Sequence, residues 1–212
     1  MGICLDGDAD RIVVIDEKGE RIPGDILIGI IAKFLKDKGL LPSSEIVGTV
    51  MSNKGLEIFL EKIGLKLART KVGDRYISEY FSLKGGVFGG EPSGHLIFKN
   101  YSTTGDGILS ALKVIEAVKF YKKSLSELRK EVELFPHVLI NVKVSKKKDF
   151  SKLGNITTAI EDIEKKMNGQ GRVLLRYSGT ENLARVMVEG PDERLVQSSC
   201  ESLASLVERE LA

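Results

Sequence analysis

Charge bias, cysteine, histidine and long apolar runs are all scarce in this sequence, and each scarcity removes a class of function. Among 212 residues, 32 basic side chains face 30 acidic ones, a formal net charge of +2. No diffuse field therefore advertises a nucleic-acid partner or an anionic membrane surface, and any anion must be bound locally by a few placed cations. No apolar stretch approaches bilayer-spanning length, and the N-terminus shows no basic segment followed by an apolar core; the expected compartment is the cytoplasm. The two cysteines, Cys4 and Cys200, have neither metal-type nor disulfide-framework spacing, and are expected as small buried hydrophobes in reducing surroundings. Of the two histidines, His137 lies in a strand-like run, 136–144, and reads as a satisfied structural residue, which leaves His95 as the imidazole of interest. What remains is 42% hydrophobic at a mean hydropathy of -0.04, enough apolar surface for one large or two modest domains.

The periodicities predict alternating strands and helices. Residues 12–15 read as strand, Pro23-Gly24-Asp25 as a helix start, and Ile26, Leu27, Ile30, Ile31, Phe34 and Leu35 recur at helical spacing until Lys36, Lys38 and Gly39 end the segment. Strand 45–50, helix 56–63, strand 65–71, helix 74–83, strand 96–98 and helix 108–121 follow. That order predicts an α/β domain with a mixed, mainly parallel sheet covered by helices. After a short helix over 124–133 the pattern changes: Val138, Ile140, Val142 and Val144 alternate with polar residues as in a half-exposed strand. A helix over 155–167, strands over 172–176 and 183–189, and a helix over 192–211 predict an antiparallel α+β unit. The boundaries expected are 1–18, 19–133 and 134–212. Lys146-Lys147-Lys148 reads as a solvated loop, because no aromatics interleave with it.

Three stretches carry chemistry. The first is Asp6-Gly7-Asp8-Ala9-Asp10-Arg11, between two apolar runs. Carboxylates at alternate positions of extended backbone project to one side, so Asp6, Asp8 and Asp10 can converge on one hard cation, with Arg11 facing the anion it attracts. A polar turn between strands accounts for the same residues. An EF-hand does not: Arg11 stands where that loop needs glycine, and the β-branched run 12–15 follows at once. The second stretch is Gly90-Glu91-Pro92-Ser93-Gly94-His95, which exposes an acid, a hydroxyl and an imidazole on one glycine-rich turn. Such a trio suits a polyhydroxylated ligand, although a plain turn with a packed histidine is the competing account. It is no serine-hydrolase elbow, since the glycine such an elbow requires two places before its serine is not there. The third is Arg176-Tyr177-Ser178-Gly179-Thr180-Glu181-Asn182-Leu183-Ala184-Arg185. Two hydroxyls, a glycine and an arginine on each side make a phosphate cradle, or else a decorated hairpin turn.

Taken in order and spacing, these three loops resemble the α-D-phosphohexomutase superfamily. Thr49-Val50-Met51-Ser52-Asn53, Val72-Gly73-Asp74-Arg75-Tyr76, the run from Tyr101 through Thr104 to Gly107, and Arg185-Val186-Met187-Val188-Glu189-Gly190 narrow the resemblance to its phosphoglucosamine mutase branch. It covers essentially the whole chain. The resemblance implies the tail of the family's second domain over 1–18, its third domain over 19–133 and its TBP-like α+β fourth domain over 134–212. It implies Mg²⁺ on Asp6, Asp8 and Asp10, Arg11 and His95 in catalytic roles, Glu91 and Ser93 on sugar hydroxyls, and Arg176, Ser178, Gly179, Thr180 and Arg185 on the non-reacting phosphate. Asp74 and Arg75 are further candidates for lining the third-domain part of the cleft.

The activity implied is interconversion of glucosamine 6-phosphate and glucosamine 1-phosphate through a phosphoserine and a bisphosphate. The family's phosphoserine motif, of the Thr-Ala-Ser-His-Asn-Pro type, has no counterpart here. The chain is therefore expected to be part of a longer protein whose N-terminal domains are its partners, inactive alone, with a homodimer as another way to cover its first strands. Pro92, where the branch often has Gln, and Asn182, where Pro is common, depart from the family pattern. A phosphomannomutase or phosphoglucomutase, and a non-catalytic phosphosugar-binding module, are the alternatives.

Overall fold

One helix, α1 (Gly24–Asp37), is buried on nearly every side, and the first half of the molecule is built around it. Ile26, Leu27, Ile28, Ile30, Ile31, Phe34 and Leu35 are all buried, so the amphipathic stripe expected of a surface helix is widened until only Lys33, Lys36 and Asp37 reach the surface. Pro23 precedes its first turn, and Gly39, at φ +68°, closes its last by donating to the Lys36 carbonyl, the left-handed ending that glycine permits. The computed structural model describes residues 1–211. These form two compact units, Met1–Leu134 and the chain from Phe135 onward.

In the first unit, β1 (Gly2–Leu5), β2 (Ile12–Ile15) and β3 (Arg21–Ile22) make an antiparallel meander. A second sheet has the order β5-β4-β6-β7, from β4 (Glu45–Thr49), β5 (Lys66–Thr70), β6 (Phe88–Gly90) and β7 (Leu96–Phe98). The β4 strand is parallel to both β5 and β6, whereas β6 and β7 are antiparallel. Helices α2 (Lys54–Lys62), α3 (Asp74–Lys84) and α4 (Gly107–Tyr121) complete the layers. Asn53 caps α2 by accepting from the Gly55 N–H at 2.9 Å, and Asp106 caps α4 by accepting from the Leu109 N–H at 2.9 Å. The helix expected over 124–133 is one capped turn, α5 (Leu125–Leu128), and a 3-10 turn, Arg129–Glu131.

The second unit is a three-stranded antiparallel sheet in the order β8-β10-β9, from β8 (His137–Lys143), β9 (Arg172–Tyr177) and β10 (Leu183–Glu189). Helices α6 (Gly154–Lys166) and α7 (Glu193–Leu211) bury Ile156, Ile163, Val196, Cys200, Leu203 and Val207 with Val142, Ala184, Val186 and Val188 of the sheet. Among the described residues no helix is long and apolar enough to cross a membrane.

Two expectations need correction. Cys4 is exposed, because β1 is the edge of its meander; only Cys200 is buried. His137 is exposed at the start of β8 rather than a satisfied core residue, because the strand's alternation turns it away from Val138.

The N-terminus of α1 is pressed against the glycine-rich turn: a Cβ on Gly24 would lie 2.5 Å from the Pro92 carbonyl oxygen. That obstacle is backbone, whereas a Cβ on Gly29 would meet the Val132 side chain, which can yield. Gly24→Ala is therefore expected to cost about 1–3 kcal/mol by overpacking, more than Gly29→Ala, in urea melts of the 212-residue chain. Equal stability of the Gly24 variant and the parent would contradict this contact.

Candidate functional site

Two of the three candidate loops meet in the first unit. Arg11 and His95 form an isolated antiparallel bridge, and the Ile12 N–H donates to the Gly94 carbonyl at 3.1 Å. Gly94 adopts φ +90°, and a Cβ there would strike the Ile12 carbonyl, so this approach requires glycine. Gly105 gives the imidazole its room, because a side chain there would run into the His95 ring.

The three aspartates converge, by a route other than extended backbone. Residues 7–9 form a turn, closed by the Ala9 N–H on the Asp6 carbonyl at 3.2 Å, with Ala9 at φ +59°. Asp6, Asp8 and Asp10 thereby each offer a carboxylate oxygen within 4.8 Å of the other two. Arg11 is their counter-charge: its Nε lies 2.6 Å from Asp6 Oδ2 and 3.3 Å from Asp10 Oδ1, and its backbone N–H donates to Asp6 Oδ1 at 3.2 Å. Burial pushes the Asp6 carboxyl up, but the Arg11 backbone and guanidinium outweigh it and hold the group below the usual carboxylate range. Asp8 is exposed and has no hydrogen-bond or ion-pair partner among the described residues. Three hard oxygen donors, one of them uncommitted, fit a divalent cation of the magnesium kind.

The glycine-rich turn is closed by the Glu91 N–H on the His95 carbonyl at 2.9 Å and the Gly94 N–H on the Glu91 carbonyl at 3.0 Å. Glu91 Oε1 accepts from the Gly73 N–H at 2.9 Å, at the N-terminus of α3, where the helix favours negative charge. Ser93 is exposed and lines a pocket of about 180 Å³ with Asp6, Arg11 and Cys4. His95 is 4% exposed; its Nδ1 lies 3.3 Å from Asp10 Oδ2 and its Nε2 3.9 Å from Asp74 Oδ2. That Nε2 meets no hydrogen-bond partner among the described residues. An imidazole between two carboxylates, beside a guanidinium and a hydroxyl, can hold or pass a proton next to a bound anion. Arg75 is engaged with the Tyr76 hydroxyl at 2.5 Å. Gly73, Gly105 and Asp74, as supports of Glu91 and His95, were marked in the sequence only by their glycine-rich surroundings and the shared Val-Gly-Asp-Arg-Tyr run.

The third loop is the β9–β10 hairpin of the second unit. Arg176 and Arg185 are directly opposite in the ladder, so their side chains share one face. Burial lowers the Arg176 pKa and the neighbouring Arg185 charge lowers it further. Arg185 Nε is buried without a hydrogen-bond partner, and its guanidinium lies 3.8 Å from Glu181. Ser178 is 3% exposed; its N–H donates to the Leu183 carbonyl at 2.8 Å and its Oγ accepts from the Glu181 N–H at 3.3 Å. Gly179 and Thr180 are exposed at the tip, and among the described residues no acceptor meets either N–H. Paired like charges beside free amide donors are groups of the kind that can hold an anion.

Known proteins resemble this chain in sequence and in fold. A sequence profile described as phosphoglucomutase/phosphomannomutase, alpha/beta/alpha domain III, matches residues 23–135, and one described as the C-terminal domain of the same proteins matches residues 139–206. A phosphoglucosamine mutase of Solidesulfovibrio magneticus is 53% identical over 212 residues and one of Desulfovibrio desulfuricans 49% identical over 211, each match covering 100% of this chain and 47% of the relative. The chain thus spans about half the length of the curated relatives it matches. Among solved structures, Aspergillus fumigatus N-acetylphosphoglucosamine mutase in complex with GlcNAc-6P and magnesium superposes with a TM-score of 0.77 at 21% identity, over 97% of this chain and 51% of that one. A phosphoglucomutase/phosphomannomutase family protein of Burkholderia thailandensis superposes with 0.74 at 17% identity, over 100% and 47%. These two structures share the fold.

Two outcomes are expected. Magnesium should raise the melting temperature of the chain, as any ligand of the folded state does, and Asp8→Asn should abolish the rise with little change in the metal-free melt; a rise that survives in the variant would exclude the triad. Arg176→Gln should remove a like-charge pair and stabilise the chain by about 0.2–1 kcal/mol without phosphate, while losing the stabilisation that inorganic phosphate gives the parent. A variant that is less stable in both buffers would show the arginines to be structural.

Proposed function

This chain belongs to the phosphoglucomutase/phosphomannomutase family, and from that premise we propose that its site serves the interconversion of glucosamine 6-phosphate and glucosamine 1-phosphate. The observation that carries the proposal is the bridge joining Arg11 to His95, beside a pocket lined by Asp6, Arg11 and Ser93. The names of relatives at 53% and 49% identity support the amino sugar.

In this reading Asp6, Asp8 and Asp10 hold a divalent cation, magnesium, whose chemistry is to neutralise phosphate oxygens and the charge that gathers on a phosphoryl group in transfer. Arg11 grips that phosphoryl group with its guanidinium. Glu91, fixed through Gly73, accepts from sugar hydroxyls, and the exposed Ser93 hydroxyl orients the ring. His95 exchanges a proton with the reacting sugar hydroxyl at Nε2, while Asp10 at Nδ1 sets its orientation. Arg176, Ser178, Gly179, Thr180 and Arg185 hold the phosphate that is not reacting. The phosphoryl carrier, a serine in the family's motif, is absent from these 212 residues, so further domains of the kind found in the longer relatives are its proposed source.

The second reading is a phosphomannomutase or phosphoglucomutase, kept because Pro92 in the sugar loop matches neither the Gln common in the amino-sugar branch nor the Met common in the neutral-sugar mutases. Turnover by the full-length protein separates the two. Glucosamine 6-phosphate is expected to be the best of the glucosamine, glucose and mannose phosphates, and His95→Asn should lower kcat by about 100-fold or more. Faster turnover of a neutral sugar phosphate would favour the second reading.

A further inference from the structure

The lysine run in the loop after β8 is stapled to the anion hairpin. The Tyr177 hydroxyl donates to the Lys148 carbonyl at 2.7 Å and accepts from the Lys148 N–H at 2.9 Å. Its ring stacks on Phe150, with centroids 4.3 Å apart and 19° between planes. Held this way, Lys147 donates through Nζ to the Ser178 carbonyl at 3.3 Å, the one hydrogen bond that carbonyl receives among the described residues. The lysine is exposed, as expected of a solvated loop, yet its head group is committed to the hairpin.

A trans peptide points its C=O and the following N–H in opposite directions. Anchoring the Ser178 carbonyl on Lys147 therefore fixes the direction of the Gly179 N–H, which meets no acceptor among the described residues. Gly179 has open space where a Cβ would stand and a glycine's freedom of rotation, so without the anchor that peptide plane is held only by its neighbours. The other polar groups of Ser178 are already spent on closing the turn.

We propose that Lys147 is a positioning residue of the anion site: by holding the Ser178 carbonyl it aims the Gly179 N–H at a bound phosphate monoester. This rests on the reading of residues 176–185 as a phosphate clip. Lys147 acts through the peptide it holds, whereas Arg176 and Arg185 face the anion themselves.

The test is a titration of the ¹⁵N-labelled 212-residue chain with inorganic phosphate. In the parent, the Gly179 and Thr180 amides are expected to shift saturably. Lys147→Ala should move the Gly179 resonance before any phosphate is added and weaken the phosphate midpoint by about tenfold, the loss of one charge-assisted hydrogen bond. Amides of α7 should stay in place, which excludes general unfolding, and Lys147→Arg, which keeps a charged donor, should bind within about threefold of the parent, well inside one such bond. An unchanged midpoint in Lys147→Ala overturns the proposal. So does a weakened midpoint with an unmoved Gly179 amide, because the lysine would then act on the ion directly. Absence of any saturable shift over 176–185 in the parent overturns the phosphate clip and this inference with it, a pattern distinct from failure of the lysine alone.

Discussion

The Arg11–His95 bridge is the constraint on which the first unit's chemistry depends. A sheet contact of one residue pair is weak, and it persists here because several steric conditions coincide. Gly94 adopts a positive φ and leaves the Ile12 carbonyl clear, while Gly105 leaves the ring its space. Once the bridge is made, the backbone of the acidic loop and that of the glycine-rich turn are one surface. Arg11 is placed on the carboxylates and His95 is buried beside Asp10, and the Gly107 N–H on the Ala9 carbonyl at 2.9 Å is a second long-range tie to the acidic loop.

Both candidate sites are places where the chain accepts local conflict. Asp6, Asp8 and Asp10 crowd like charges with one guanidinium among them, and Arg176 faces Arg185 across a ladder where an opposite charge would stabilise the sheet. The cores beneath them are mainly apolar: α1 and the α6–α7 layer bury closely packed aliphatic side chains. Local conflict of this kind is what a bound ligand would relieve, in keeping with the proposed sites.

Much of this was legible in the sequence. The helices α6 and α7 and the strand β8 follow apolar periodicity closely, because each buries a single marked face. Phe88–Gly90 did not read as strand: two of its three residues are glycines, and only pairing with β4 and β7 makes it one. The acidic loop gave its residues but not its conformation, since nothing marks Ala9 for a left-handed turn. The exposure of Cys4 follows from its place at a sheet edge, and an edge is a property of topology rather than of the apolar run Ile3-Cys4-Leu5. The role of Lys147 was hidden because its partner is a carbonyl, and a backbone acceptor leaves no trace in composition.

The burial of α1 on nearly every side reaches beyond stability. Its first residue abuts the backbone of Pro92, in the turn proposed to read the sugar. A change of volume deep among the isoleucines of α1 is therefore transmitted to the backbone of that turn. In the proposed reading, the choice of sugar is set in part by residues that never meet solvent.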